Sequence, residues 1–310
     1  MPANIETMFY VRKTPWHGLG TRVAQALSSQ EALEKSGLDW EVHQQPIYTA
    51  QGQLIQNYKA NVRETDNQIL GVVSDRYQVV QNNEAFSFTD ELLGFDVKYE
   101  TAGSLQNGRR VWLLARLPEK YIINGEKVEP YLVFSNSHDG STAITVAMTP
   151  IRIVCQNTLN LALREAKRTW SAKHTGNIQG KLHEAQETLN LAHTYMAELG
   201  KEFDNLNKIK VSDTKVLQFV EELAPMPDNA TDIQKRNIKQ TRDDMVTRYY
   251  DAPDLRLLPK TGYRFINAIS DYATHSTPIR NTANYQENLF MKTLEGHPVI
   301  DKAHALVKAA

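Results

Sequence analysis

The residues of this chain best suited to chemistry are basic. Arg109 and Arg110 follow an Asn-Gly pair, and Arg152 lies just past Thr149-Pro150. Arg164, Lys167, Arg168 and Lys173 crowd one short stretch around Trp170, against a single acid, Glu165. Cations at that density neutralise phosphates along a nucleic-acid backbone, and an aromatic ring among them gives a base a face to stack on. Tyr77, with Lys59, Arg63 and Arg76 on earlier segments, extends the same pattern. The competing reading is an ordinary charged surface with Trp170 packed in the core.

Other chemistry finds less support. Residues 14–21 read TPWHGLGT. Gly18 and Gly20 allow a tight backbone path that can turn N–H groups toward an anion. A dinucleotide fingerprint also needs a preceding strand, a third glycine and a following helix, and none is evident. His17 lacks a neighbouring nucleophile or acid, so Trp16 to Gly20 is expected to be a structural loop with Trp16 as a buried plug. Cys155 sits on an apolar helical stripe, where a free cysteine packs rather than reacts. The nine histidines form no HxH or HExxH pattern, and no phosphate-binding P-loop occurs. The expectation is a protein without catalytic residues, metal or cofactor.

Composition sets the frame. The 310 residues are 41% hydrophobic and 23% charged, with a net charge of -1. This is globular composition, and it does not advertise nucleic acid as a strongly basic chain would. One cysteine excludes an intrachain disulfide. No apolar run is long enough to span a bilayer, and MPANIETMFYVRKTPW lacks the order of a secretory signal. A cytoplasmic protein with no membrane association is expected.

The elements that must position the basic residues fall into two kinds. A short helix over 28–37 is punctuated by Ser28 or Ser29 and Gly37. β-rich segments follow, with turns at Gln51-Gly52, Asp66-Asn67, Asn107-Gly108, Asn124-Gly125 and Asp139-Gly140. NNEAFSFTDELLG (82–94) has helical spacing. Thr149-Pro150 resembles a cap with a first-turn proline, so a helix is expected from there through Arg168. Beyond it, Ala185, Leu189, Ala192, Met196, Leu199, Phe203 and Leu206 form a heptad-like seam. Further helices are expected at 213–224, 229–250, 262–275 and 281–307. The predicted fold class is α+β: an antiparallel β-rich core with hairpins and packed helices, followed by a mostly helical C-terminal region. The predicted divisions are 1–37, 38–175 and 176–310.

Three separated motifs, TPWHGLGT, LGVVSDRYQVVQNNEAF (70–86) and TPIRIVCQNTLNLAL (149–163), resemble the phage/plasmid-like protein family, catalogued as domain of unknown function 932. YATHSTPIR and LEGHPVIDKAHAL extend the resemblance over nearly the whole chain. The family implies a mobile-element origin but brings no assigned chemistry. The order of AFSFTDELLGFDVKYE, NGRRVWLLARL and TPIRIVCQNTLNLALREAKR is also similar to that of single-strand annealing proteins of the Rad fifty-two and phage Red-beta type. That likeness implies rings or filaments holding single-stranded DNA in a basic groove.

The combined expectation is a non-enzymatic, single-stranded DNA binding and annealing protein of a phage, prophage or plasmid, acting in recombination or replication as a homo-oligomer. Arg109, Arg110, Arg152, Arg164, Lys167, Arg168 and Lys173 would contact phosphates, and Tyr77 or Trp170 would stack bases. The alternative is an accessory or anti-defence factor that binds a host protein. A nuclease is the third class, and it lacks the clustered carboxylates that Mg²⁺ needs.

Overall fold

Asparagine and glycine turns set the strand pairing in the computed structural model, which describes residues 5–11, 20–93, 97–117, 121–123, 125–152, 169–189, 192–276 and 297–310. Strands β6 (Lys98–Leu105) and β7 (Arg110–Arg116) form an antiparallel hairpin that closes on Leu105↔Arg110. Its turn holds Gln106, Asn107 and Gly108 at positive φ, where asparagine and glycine are least strained. Strand β9 (Glu126–Ser137) turns at Asp139-Gly140 into β10 (Ile144–Arg152), with Gly140 again at positive φ.

Together with β1 (Ile5–Val11), β2 (Thr21–Val23), β8 (Tyr121–Ile123) and β11 (Thr169–Ala172), these strands build an eight-stranded sheet. Its order is β11-β10-β9-β7-β6-β1-β2, with β8 as a short hairpin partner of β9. Gly103 on β6 marks a close approach. A Cβ there would lie 2.3 Å from the Thr7 carbonyl oxygen and 2.6 Å from the Trp112 ring.

Two helices, α1 (Ser29–Lys35) and α2 (Asn82–Leu93), contribute to the core of this sheet. The Glu31 carboxylate accepts hydrogen bonds from both the N–H and the hydroxyl of Ser28, fixing the start of α1. On α2, Ala85, Phe86 and Phe88 are buried. The Phe86 ring meets Tyr99 at 5.0 Å and Phe88 meets Phe134 at 5.9 Å. Each such side chain contributes about 2–3 kcal/mol by leaving water.

A separate three-stranded sheet holds β3 (Val42–Tyr48), β4 (Leu54–Arg63) and β5 (Ile69–Ser74) in sequential order. Its register aligns Gln44, Asn61 and Gly71 on one face and Gln45, Ala60 and Val72 on the other. The first face turns inward: Asn61 donates to the His138 carbonyl at 2.7 Å. The second exposes Tyr58, Ile69 and Val72, each more than half accessible. The apolar side chains are thus divided: Val42, Ala60, Val62, Leu70 and Val73 are buried, while Tyr58, Ile69 and Val72 stay accessible.

The helical half contains α3 (Ile178–Leu189), α4 (Ala192–Lys208), α5 (Asp213–Leu223), α6 (Asp232–Asp251), α7 (Gly262–His275) and α8 (Pro298–Lys308). The seam read from sequence is largely interior, with Ala185, Met196, Leu199, Phe203 and Leu206 buried. Helix α7 is buried along most of its length. Its Arg264 is held by the carbonyls of Tyr249 and Leu258 and lies over the Tyr249 ring at 4.6 Å.

The chain divides into two compact units. One comprises 1–119, 130–148 and 168–192, the other 120–129, 149–167 and 193–310. The architecture is α+β, with antiparallel pairing in the N-terminal half and helices concentrated in the C-terminal half.

Two expectations are corrected. The helix expected over 281–307 does not run unbroken: His297 is extended and caps α8, which begins at Pro298, and 281–296 lie outside the described residues. Thr149-Pro150 does not open a helix; β10 continues through Arg152. Thr145, Val146, Thr149 and Ile151 are β-branched and favour extended backbone. Among the described residues β11 reaches only Ile144–Ala147. Pro150 lies beyond that ladder, so its missing N–H removes no bond to β11. Residues 153–168, with Cys155 and the rest of the expected helix, lie outside the described residues.

Candidate functional site

Four connections of the N-terminal unit meet at one end of the large sheet. They are the β6–β7 turn, the β9–β10 turn, the segment after β5 and the segment after β11. The His138 N–H donates to the Arg109 carbonyl at 2.7 Å, and the Gln78 N–H donates to the His174 carbonyl at 2.8 Å. Tyr77 and Thr175 form an isolated β-bridge. Gly71 lets the three-stranded sheet close on the β9–β10 turn: a Cβ there would lie 2.6 Å from the Asp139 Cα.

The centre of this junction is a buried polar knot. The Tyr77 ring stacks on His174 with centroids 4.6 Å apart, and its hydroxyl donates to the Ser137 carbonyl. His138 is fully buried, edge-on to Trp40 at 5.3 Å. Asn82 spends its amide N–H groups on the carbonyls of Leu38 and Trp40, so its oxygen accepts from Nε2 of His138 at 3.0 Å. Nδ1 of His174 faces the Gln78 carbonyl at 3.2 Å and must donate. Nδ1 of His138 and Nε2 of His174 have no hydrogen-bond partner among the described residues, and burial favours the neutral form of both rings. Burial drives the pKa of His138 down to about 3, with the neighbouring His174 adding to the effect. Burial likewise takes His174 down to about 4.

Around the knot stands a basic rim. Arg76, Arg109 and Lys173 are exposed. Arg110 is half-buried, with Nε and Nη2 at 3.3 and 3.2 Å from the Ser141 hydroxyl. Lys181 turns its ammonium to the carbonyls of Lys173 and Thr175. Asp75 and Asp139 are the acids in these connections, and Asp139 accepts from the Ser141 N–H at 2.9 Å. Tyr58 is 52% exposed and pairs with Ser74, one residue before Asp75. The Asp75 N–H donates to the Asn57 carbonyl at 3.0 Å, which holds the Arg76 turn beside Tyr58.

The residues singled out in the sequence are thus divided. Arg109, Arg110 and Lys173 share the loop end. Tyr77 does not serve as a stacking platform: it is 6% exposed and His174 already covers its ring. Trp170, on β11, is half-buried against the apolar core. Arg152 closes β10 at the end remote from the Asp139-Gly140 turn. Arg164, Lys167 and Arg168 lie outside the described residues, as do Trp16 to Leu19.

Arg63 is no groove cation either. It is buried, bidentate to Asp66 and paired with Glu6 at 2.9 Å. Arg76, named among the earlier-segment cations, does lie at this end, whereas Tyr58 is the member that sequence reading missed. Tyr58 follows Asn57 at positive φ, an irregularity that obscures strand alternation.

Among the described residues, Glu41, His43 and Glu64 bring ligand atoms within 4.8 Å of one another. All three are exposed, and no chemistry is assigned to them. No helix among the described residues is long and apolar enough to cross a membrane.

The motifs and the mixed sheet-and-helix architecture define a class before any activity. The chain belongs to the family described as Domain of unknown function (DUF932), whose model matches residues 69–293. No curated protein and no solved structure matches the chain.

Proposed function

We propose that this protein binds and anneals single-stranded DNA without enzymatic chemistry. The observation that carries the reading is the convergence of Arg76, Arg109, Arg110 and Lys173 on one loop end, with the exposed Tyr58 ring beside Arg76. Phosphates would lie on the cations and a base on Tyr58, the combination used by sequence-tolerant single-strand binders. Tyr58 takes the role first given to Tyr77. Arg164, Lys167 and Arg168 remain proposed contacts on sequence grounds, as does Trp170 where its ring is accessible. The proposed setting is recombination or replication of a phage, prophage or plasmid in the cytoplasm, with the protein acting as a homo-oligomer.

Annealing is downhill once complementary strands meet, so the reading needs neither nucleotide nor metal. The test is a fluorescence assay that follows pairing of two complementary oligonucleotides. Wild-type protein is expected to accelerate pairing, and Arg76, Arg109, Arg110 and Lys173 replaced together by alanine to abolish the acceleration. Equal acceleration by both proteins would remove the loop end from the account. The second reading, a factor that binds a host protein, gains its support from a groove in the helical unit.

A further inference from the structure

Helices α5 and α6 of the C-terminal unit enclose an open groove of about 630 Å³. Its floor is apolar, formed by Leu217 and Val220 on α5, Met226 in the connection and Val246 on α6. Leu217 is 53% exposed and Met226 37%. Ile233, at the start of α6, is 64% exposed. Leu217 and Met226, left this accessible in the lining of one groove, mark a contact surface rather than scattered exposure.

The rim has a definite sign. Lys235, Lys239 and Arg242 recur along α6 with Val246 at intervals that place all four on one helical face, and Arg236 flanks them. These four cations line the groove against two acids, Glu221 and Asp243. Glu221 is engaged by Arg242 at 3.3 Å, while Nε of Arg242 is held by the Ala224 carbonyl at 2.9 Å. Arg242 thus ties the two helices together. Lys235 lies 3.9 Å from the fully exposed Asp232, a contact worth little. Arg236 and Lys239 form no ion pair among the described residues, and both are exposed. The lining therefore keeps an excess of positive charge beside the apolar floor, four cations against Glu221 and Asp243.

We propose that this groove docks an acidic amphipathic helix of a protein partner. Apolar side chains at helical spacing would fill the floor over Leu217, Val220 and Val246, the mode by which helices enter grooves. Flanking carboxylates would meet Arg236 and Lys239, and such rim charges set orientation and on-rate. The apolar floor is what disfavours nucleic acid here, since a phosphate backbone would leave Leu217 and Met226 uncovered. The inference does not rest on the DNA reading and uses none of the residues at the loop end.

The test uses the full chain and a fluorescein-labelled synthetic peptide of about 18 residues, five helical turns. The peptide carries leucine at core spacing and glutamate elsewhere. Anisotropy is expected to show saturable binding at about 0.15 M salt. A scrambled peptide of equal composition should bind at least about tenfold more weakly, because its apolar residues no longer share a face. R236E with K239E, and separately L217D, should each weaken binding by about tenfold or more. All three positions are exposed, so unaltered thermal melts are expected for both variants. Replacing Arg76, Arg109, Arg110 and Lys173 by alanine should leave peptide binding unchanged.

Absent binding, equal binding of the scrambled peptide, or indifference to both groove variants would overturn the proposal. So would displacement of the peptide by a single-stranded oligonucleotide that itself weakens with R236E/K239E, because the groove would then be a nucleic-acid site.

Discussion

The imidazole of His174 lies almost parallel to the ring of Tyr77, 14° between planes and 4.6 Å between centroids. This contact joins the segment after β11 to the segment after β5, residues almost a hundred positions apart in the chain. It seals a knot in which His138 and His174 are both neutral and each keeps one nitrogen without a hydrogen-bond partner among the described residues. The stack closes the Tyr77 ring to a nucleic-acid base and leaves the exposed rim to carry any such contact.

The knot makes stability pH-dependent, with a definite sign. Both histidines have native pKa values far below the ordinary value of 6.5, His138 at about 3 and His174 at about 4. Below pH 6.5 the unfolded chain takes up protons that the native state refuses, so stability rises with pH in that range. The stabilisation is complete above about pH 6.5 and is lost progressively as pH falls from there, toward about 4 for His174 and about 3 for His138. Each histidine contributes a slope of up to about 1.4 kcal/mol per pH unit. Denaturant melts across this window should show the loss, and H174Q should make it shallower. An unchanged pH dependence in H174Q would show that its imidazole is not held neutral in the fold.

Gly71 couples the small sheet to the rim. A Cβ at this position would lie 2.6 Å from Asp139 Cα and 2.8 Å from Asp139 Cβ, and backbone must move to admit it. G71A is therefore expected to cost about 1–3 kcal/mol as overpacking. It should also weaken oligonucleotide binding, because Arg110 takes its position from Ser141 in the same turn. A thermally unaltered G71A variant with wild-type affinity would show that the close approach is not needed.

Tyr58 and Tyr77 should separate function from stability. Y58A removes an exposed ring and is expected to weaken single-stranded DNA binding by about 1–3 kcal/mol while melting normally. Y77F keeps the stacked ring and removes a buried hydroxyl that donates to Ser137. It should lower stability by about 1 kcal/mol and leave affinity unchanged. The opposite pattern in paired binding and melting curves would restore Tyr77 as the stacking residue.

What sequence reading captured was local. Asn107-Gly108 and Asp139-Gly140 specify tight turns through their own backbone preferences, so both hairpins were legible. The buried seam of Met196, Leu199, Phe203 and Leu206 was legible because helical period is written in neighbouring residues. Thr149-Pro150 misled, because a β-branched residue before proline suits a strand as well as a helix cap. Its state depends on where β11 stops pairing.

Tyr77 misled for a similar reason. Nothing within SDRYQVV announces that His174 will cover it. His138, Asn82 and His174 form no spaced motif, since three different elements deliver them. The face of Lys235, Lys239, Arg242 and Val246 was present at helical spacing, but its meaning came only with the apolar floor supplied by α5.

The most direct test of the central claim is an anisotropy titration of a labelled single-stranded oligonucleotide at several salt concentrations. Wild-type protein should bind tightly at low salt, with log affinity falling linearly against log salt. Replacing Arg76, Arg109, Arg110 and Lys173 by alanine should flatten that slope by about 0.7 for each phosphate no longer neutralised, roughly 3 in all. No binding at low salt, or a slope identical in the two proteins, would contradict the account.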